Sequence, residues 1–578
     1  MEVPKMDDEL SPEKKVSWVR SHIIGGWAEF DSPFGRRRVT YADATATARS
    51  LRFIEDYLLT TLLPFYGNTH TTDSYVGQHS TKMVEEASQY IKSCLRGKKE
   101  DAILFCGSGS TGAIKKLQEV MGIAIAPTLK ARVSKLLHDE QNWVVFVGPY
   151  EHHSNILSWR QSLADVVEIG LTENGSVDIK ALKAQLQHYE CSNSPMLGSF
   201  SACSNVTGIV ADTRALARLL HQHGAFACFD FATSGPYVKI DMKSGELDGY
   251  DAVFISPHKF IGGPGSPGIL LMNKKLYQLN NYPPSTCGGG TVSYVNCFSE
   301  EDTVYLESIE ERENAGTPQI IQTVRAALAF WIKEYVGYKT ITNQESYYMS
   351  TALETLGNYS NIHILGPLAP VDRISVLSFL VYPTTNRKPL HGRFVAKLLN
   401  DLFGIQARGG CSCAGPYGHY LLNIDKAESL AFRSSILQGY QGVKPAWTRI
   451  NFPYYMSREE FEFVLEAVKF VAHYGHQFLP LYDLDWGNGN WNLNDKTFKQ
   501  VLDGKYNTKF LQKLKLRYNY KQVKDNNNAT FGSEDECLTN KYASYIDKAT
   551  YIASLLPKYP RQGQAPHDLR HIDLPFII

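Results

Sequence analysis

The chain has no excess of charge of either sign: 59 Lys and Arg stand against 59 Asp and Glu in 578 residues, a formal net charge of zero. That balance provides no electrostatic case for nucleic acid or for an anionic membrane surface as a partner. Long apolar runs are missing as well, and none approaches the roughly 18 residues that a membrane-spanning helix needs. The opening "MEVPKMDDELSPEKK" carries acidic residues and no apolar h-region, which argues against a signal or transit peptide and for a cytoplasmic protein. Cysteine is sparse, 10 residues that are mostly solitary, as in proteins that keep their thiols reduced. Cys411 and Cys413 form a C-x-C pair, but no second Cys or His cluster stands at a spacing that would complete four ligands, so no metal is expected. Internal repeats are absent.

A chain this long exceeds one ordinary domain. From about residue 100, short apolar runs alternate with helical periods. "AILFC" (102 to 106), "WVVFVG" (143 to 148), "DVVEIG" (165 to 170), "MLGSFSA" (196 to 202), "AFACFDF" (225 to 231) and "AVFIS" (252 to 256) read as strands, with "GILLM" (268 to 272) after them. "TGAIKKLQEVMGIAI", "VDIKALKAQLQHY" and "DTRALARLLHQHG" read as helices between them. Such alternation with buried-looking strands predicts a largely parallel sheet covered on both faces, an α/β fold.

After "GTPQIIQTVRAALAFWIKEYVG" the character shifts to a smaller α+β region, with strands at "SVLSFLVYP" and "AWTRINF" and helices at "HGRFVAKLLNDLFG" and "SREEFEFVLEAVKFVAHYG". The expected division is an N-terminal segment (1–40), a large domain (41–318), a small α+β domain that also takes in part of the N-terminal segment (319–478), and a polar extension (479–578). Within the extension, "DWGNGNWNLNDK" and "KDNNNATFGSEDE" have loop compositions. Its aromatic clusters would serve as partner-binding surface or wrap over the core as packing.

Chemistry gathers around "SPHKFIGGPGSPG" (256 to 268), where Lys259 sits at the passage from a strand to a Gly- and Pro-rich loop, a common place for function in α/β proteins. "CGSGST" (106 to 111) follows a strand and opens a helix, so its backbone N–H groups with Ser110 and Thr111 can hold an anion; such turns also simply cap helices. "CFDFATSGP" ends an apolar strand on Asp230. A carboxylate there is either a helix N-cap or the partner of a cation. With Lys259 one strand further on, the second reading is favoured, since a lysine Schiff base and an Asp on the pyridine nitrogen mark pyridoxal phosphate enzymes. "PYEHHSNILSW" places two histidines after a strand, and "RENAGTPQ" places Thr317 before a helix start, where a phosphate oxygen can sit.

These segments resemble, in order, the motifs of the class V aminotransferase group of fold-type I pyridoxal phosphate enzymes, and within it those of the cysteine desulfurases. "YADATATA" is similar to the family's opening Tyr-Leu-Asp-Asn-Ala-Ala-Thr-Thr, "EHHSN" to its Glu-His-His-x-Asn, "SNVTG" to its Ser-Asn-x-x-Gly, "SPHK" to its Ser-x-His-Lys and "AGTP" to its Gly-Thr, over roughly residues 40 to 475. The resemblance implies a large domain with a mainly parallel seven-stranded sheet between helices and a smaller α+β domain. It also implies pyridoxal 5′-phosphate, joined to Lys259, with Asp230 on the ring nitrogen, His152 stacked on the ring and Asn205 near the phenolic oxygen. Ser110, Thr111, Ser256 and His258 would bind the phosphate, with Thr317 reaching it from the second subunit of a homodimer. Thr233 stands where the family has a Gln that bonds the phenolic oxygen, and its shorter side chain puts that contact in question.

"ARGGCSCAGPYG" (407 to 418) resembles the desulfurase segment Arg-x-Gly-x-x-Cys-Ala-x-Pro, which places Cys413 at the nucleophile's position with Arg408 five residues before it. Arg449 in "TRINFPYY" matches the arginine that clamps the substrate carboxylate. The implied activity is removal of sulfur from L-cysteine, or selenium from selenocysteine, leaving alanine and a Cys413 persulfide for an acceptor protein. Transaminase, β-lyase or epimerase chemistry on a small amino acid, or a cofactor-binding scaffold, are the alternatives. Cys411 reads as a relay thiol, a disulfide partner or a simple neighbour, with the neighbour favoured because a C-x-C disulfide is strained.

Overall fold

The computed structural model describes residues 10–137, 142–192, 194–299, 301–368, 372–383, 388–505, 534–560, 563–569 and 572–578. Its centre is a seven-stranded sheet: β1 (Asp101–Cys106), β2 (Val144–Val147), β3 (Asp165–Glu168), β4 (Met196–Ser201), β5 (Phe226–Asp230), β6 (Ala252–Ile255) and β7 (Gly268–Asn273), in the spatial order β1-β7-β6-β5-β4-β2-β3. The strands are the apolar runs of the sequence, and β2, β4, β6 and β7 are buried along their whole length, as strands covered on both faces must be.

The expected parallel arrangement holds from β2 to β6. β7 is antiparallel to both β6 and β1. The reason lies in the connection: β6 passes to β7 through the Gly- and Pro-rich turn and a single 3-10 turn at Pro257–Lys259, with no crossover helix to carry the chain back to the same end. Helices Gly109–Val120, His153–Gln161, Ile179–Glu190 and Thr213–Gln222 lie in the connections. Two further long helices, Tyr75–Cys94 and Ile320–Val336, pack against each other within the core on one face of the sheet. Ile320–Val336 lies beyond position 318 yet packs its buried side against the large sheet.

A second, four-stranded antiparallel sheet has the order Ile362–Ile364, Val376–Val381, Trp447–Asn451, Arg408–Gly410. Helices Gly392–Phe403 and Arg458–Tyr474 cover it. Phe394, Leu398 and Leu402 on the first, and Val464, Val468 and Phe461 on the second, recur at helical spacing and are fully buried, so each helix presents one apolar stripe to the sheet. Ser457 and Glu460 close the start of the second helix as a reciprocal capping box. Thr40–Tyr41 pairs in parallel with Ile405–Gln406 and ties the N-terminal segment to this lobe.

The region after residue 480, expected to be polar and irregular, is ordered by its aromatics. "DWGNGNWNLNDK" is largely a turn and strand of a hairpin in which Tyr482–Leu484 pairs with Trp491–Leu493. Of "KDNNNATFGSEDE", the stretch before residue 534 lies outside the described residues. Helix Glu534–Leu555 then lies on the small lobe. Tyr542 stacks on Phe463 with ring centroids 3.9 Å apart, accepts a hydrogen bond from Arg38 Nη1 at 2.5 Å and bonds Thr40 Oγ1 at 3.1 Å. Tyr545 accepts from the Arg38 backbone N–H at 3.1 Å. Sequence periodicity missed this helix because its buried residues contact a surface built by distant segments. Tyr542→Ala is expected to lower stability by about 3–5 kcal/mol, the usual cost of truncating a buried aromatic, as a shift of the denaturant midpoint; an unchanged midpoint would mean that the helix does not dock.

Candidate active site

The C-terminal ends of β4, β5 and β6, the loop after β1 and the small sheet enclose a cavity of about 220 Å³. Parallel strands end at the same edge, so the residues that follow them converge there. Ser110, Thr111, His152, Asn205, Asp230, Thr233, Ser256, His258, Lys259, Arg408, Cys413 and Arg449 all line this one space. Thr317 does not. It is exposed and lies outside the cavity of its own chain, beside Gly316, whose carbonyl accepts from His70 Nε2 at 2.8 Å.

Lys259 is held at the end of its 3-10 turn, where its backbone N–H donates to Ser256 O at 3.0 Å. Burial pushes its ammonium down to about 8, against the pull of Asp230 and with help from Arg449 and Arg408. Asp230 ends β5, and its Oδ1 accepts from the Ala232 N–H at 2.8 Å. Burial raises its pKa, opposed by that N–H, by Lys259 and by Ser110. A cation brought into the cavity would therefore be met by a carboxylate with little else to neutralise it. His152 caps helix His153–Gln161, its Nδ1 accepting from the Ser154 N–H at 3.2 Å, which leaves the ring proton on Nε2. Burial first, and then Lys259, drive its pKa down to about 3, so the ring is neutral and suited to lie against an aromatic system.

The opposite end of the cavity is built for an anion. Helix Gly109–Val120 starts there, Ser110 N donates to Ser256 Oγ at 2.8 Å, and the Ser256 and Ser110 hydroxyls lie 3.1 Å apart. Gly109 has φ +56, and a Cβ on it would come within 2.8 Å of Ser256 Oγ and 3.4 Å of His258 Nε2; only glycine leaves this cradle open. Thr111 bonds Ser154 at 2.7 Å. A phosphate at the helix N-terminus, an aromatic ring beside His152, a ring nitrogen at Asp230 and an aldehyde at Lys259 describe pyridoxal 5′-phosphate, so the residues present fit that group.

The remaining wall of the cavity comes from the small sheet and the turn after it. Antiparallel pairing sets Arg408 directly opposite Arg449. Arg449 is nearly fully buried; its Nη2 pairs with Asp43 Oδ1 at 2.7 Å and its Nη1 donates to Asn205 O at 3.0 Å, while its Nε has no partner among the described residues. Arg408 Nη2 stands 3.9 Å from Cys413 Sγ. Cys413 sits at φ +56 and Ser412 at φ +52, two consecutive left-handed residues without a glycine, each a costly conformation. The turn is pinned by Asn205 Nδ2 donating to Ser412 O at 2.7 Å, by His153 N donating to Cys413 O at 2.9 Å and by Gly415 N donating to His153 Nε2 at 2.9 Å.

The sequence reading missed several members of this site. Asp43 and Thr45, from "YADATATA", hold Arg449 and line the cavity. Glu151, one residue before His152, accepts from Ser201 N (2.7 Å), Ser201 Oγ (2.6 Å) and Asn155 Nδ2 (2.6 Å), bracing the floor. Burial raises its carboxyl to about 7. The signal was in motifs already noted, but the partners are distant in the chain.

Residues 40–463 match the family model Aminotransferase class-V. A probable cysteine desulfurase of Staphylococcus aureus strain Mu50 is 27% identical over 421 residues, 71% of this chain and 92% of the relative; one of Staphylococcus epidermidis strain ATCC 12228 is 26% identical over 408 residues, 69% and 89%. Among solved structures, the apo cysteine desulfurase of Thermococcus onnurineus NA1 superposes with TM-score 0.60 at 22% identity, over 79% of this chain and 98% of its own. The cysteine desulfurase CsdA of Escherichia coli, in its S-sulfonic acid form, gives 0.57 at 19% identity, over 80% and 98%. These structures share the fold.

The neutral amine is the nucleophile toward an aldehyde, so the rate at which protein stripped of cofactor recaptures pyridoxal phosphate should rise with pH to a midpoint near 8 rather than the ordinary lysine value near 10.5. Stopped-flow absorbance at varied pH checks this. A midpoint above 10 would remove Lys259 from the buried, cation-flanked setting described.

Proposed function

The chain belongs to the aminotransferase class-V family, whose members are pyridoxal phosphate enzymes, and we propose that its own reaction is desulfurization of L-cysteine, or the equivalent removal of selenium from selenocysteine. The observation that carries this reading is the Cys413 thiol, held on a strained turn inside the cavity beside a guanidinium. Transamination, β-elimination or epimerization would use Lys259, Asp230 and Arg449 and leave that thiol without work.

In this reading pyridoxal phosphate, held by Asp230, His152, Asn205, Thr233 and the Ser110, Thr111, Ser256 and His258 cluster, supplies an electron sink conjugated to the substrate amine. Arg449, with donors not engaged by Asp43 or Asn205, and Arg408 bind the substrate carboxylate in a planar fork. Lys259 Nζ accepts the proton from the substrate Cα, a role suited to an amine whose pKa burial has brought down to about 8. Cys413 as thiolate attacks the substrate sulfur. The new S–S bond forms as the Cβ–S bond breaks, the electron pair left toward Cβ collects a proton, and the product is alanine. Arg408 is the counter-charge for the thiolate.

The same proposal takes the active form as a homodimer in which the partner chain delivers its Thr317 to the phosphate, the location as cytoplasmic, and the final sulfur acceptor as a protein thiol. Among the described residues no helix is long and apolar enough to cross a membrane.

Cys413→Ala should abolish alanine and sulfide formation from L-cysteine under reductant while leaving the visible absorbance of lysine-bound cofactor intact. Full activity in that variant would overturn the reading. Arg449→Lys should raise KM for L-cysteine by about 10- to 100-fold, the scale of a lost bidentate charge-assisted contact; an unchanged KM would place the carboxylate elsewhere.

A further inference from the structure

Resting on the desulfurase reading, we propose that Cys411 is a second sulfur carrier, which takes the outer sulfur of the Cys413 persulfide and presents it to an acceptor thiol in a separate groove. Cys411 and Cys413 are the first and third residues of a four-residue turn closed by the Ala414 N–H on Cys411 O at 3.1 Å. Both are free thiols. Two residues of chain cannot separate their Cα atoms by more than about 7 Å, close to the span that sulfur–sulfur bonds bridge, and a persulfide carries its outer sulfur about 2 Å beyond Sγ.

The two thiols face different spaces. Cys413 lines the active-site cavity, and Cys411 lines a groove of about 280 Å³ walled by Phe432, Ile436, Leu437 and Trp447. Leu437 is 70% exposed, so the groove opens outward. In its wall, Trp447 is 1% exposed and its indole Nε1 has no hydrogen-bond partner among the described residues. An unsatisfied buried donor of this kind is costly. The remaining thiol on the active-site cavity, Cys203, is not suited to carry sulfur. It donates to Gly208 O at 3.2 Å, and burial pushes its pKa far up.

The step balances without an added oxidant or reductant. The Cys411 thiolate attacks the outer sulfur of Cys413–S–SH, an S–S bond forms at Cys411 as the one at Cys413 breaks, and Cys413 leaves as thiolate, ready for the next substrate. The displaced proton passes to solvent. A thiol arriving in the groove removes the sulfur from Cys411 by the same exchange.

The test uses the holoenzyme and its Cys411→Ala and Cys411→Ser variants, with retained cofactor absorbance as the check on folding. After one exposure to L-cysteine without reductant, the enzyme is alkylated and the tryptic peptide 409–426 is sequenced by mass spectrometry. In the wild type the extra sulfur is expected on Cys411 as well as Cys413. Both variants should keep the first burst of one alanine per site, yet release sulfide to dithiothreitol at least about tenfold more slowly at unchanged kcat/KM for L-cysteine, as when only a step after the first chemistry is slowed. Sulfur confined to Cys413 in the wild type, with variants turning over at the wild-type rate, would overturn the relay and leave the desulfurase reading standing. No alanine burst from any of the three proteins would overturn both.

Discussion

Asp230 and Lys259 are a carboxylate and an amine placed at the buried ends of neighbouring parallel strands, and the rest of the site is arranged around that placement. Neither charge is well tolerated in a dry interior: burial raises the pKa of one and lowers that of the other, and each partly corrects its neighbour. Parallel pairing forces the two strand ends to the same edge, and the reversed β7 closes the space from the other side. Gly268, the first residue of β7, lies so close to Gly109 that a Cβ would come within 2.0 Å of the Gly109 carbonyl. The anion cradle and the lysine turn thus meet backbone to backbone.

The small lobe contributes positive charge at a cost. Arg408 and Arg449 stand opposite each other across two strands, a like-charge arrangement that destabilises a sheet. Different partners separate them: Asp43 and the Asn205 carbonyl hold Arg449, while Arg408 turns to Cys413. The strand that precedes Asp43 is clamped in turn. Thr40–Tyr41 pairs with Ile405–Gln406, and Tyr542 from the C-terminal helix bonds Thr40 and Arg38. The C-terminal extension is therefore mechanically continuous with the two arginines that line the cavity.

The Cys411–Ala414 turn is the most strained piece of backbone near the cavity. Ser412 and Cys413 hold left-handed conformations that glycine would adopt freely, and three hydrogen bonds from His153, Asn205 and Gly415 fix them there. The turn sends two thiols in different directions, one to the cofactor space and one to an apolar groove.

Much of this was legible in the chain itself. Apolar runs of strand length marked the seven strands of the large sheet, because strands covered on both faces must be largely apolar, with only the edge strand β3 exposed at its two ends, and short motifs along the chain named twelve of the residues that line one cavity. The direction of β7 was not marked, because it follows from a connection too short to carry a crossover helix; the helices Tyr75–Cys94 and Tyr338–Gly357 and the docked helix Glu534–Leu555 were not marked, since their buried faces are defined by packing against other elements. The sequence alone determined which residue types stand at each strand end, and so the class of cofactor and chemistry. Only the tertiary structure decided that Asp43 holds Arg449, that Arg408 faces Arg449, and that Cys411 and Cys413 open into separate spaces, because register, burial and side-chain direction arise when distant segments exclude water together.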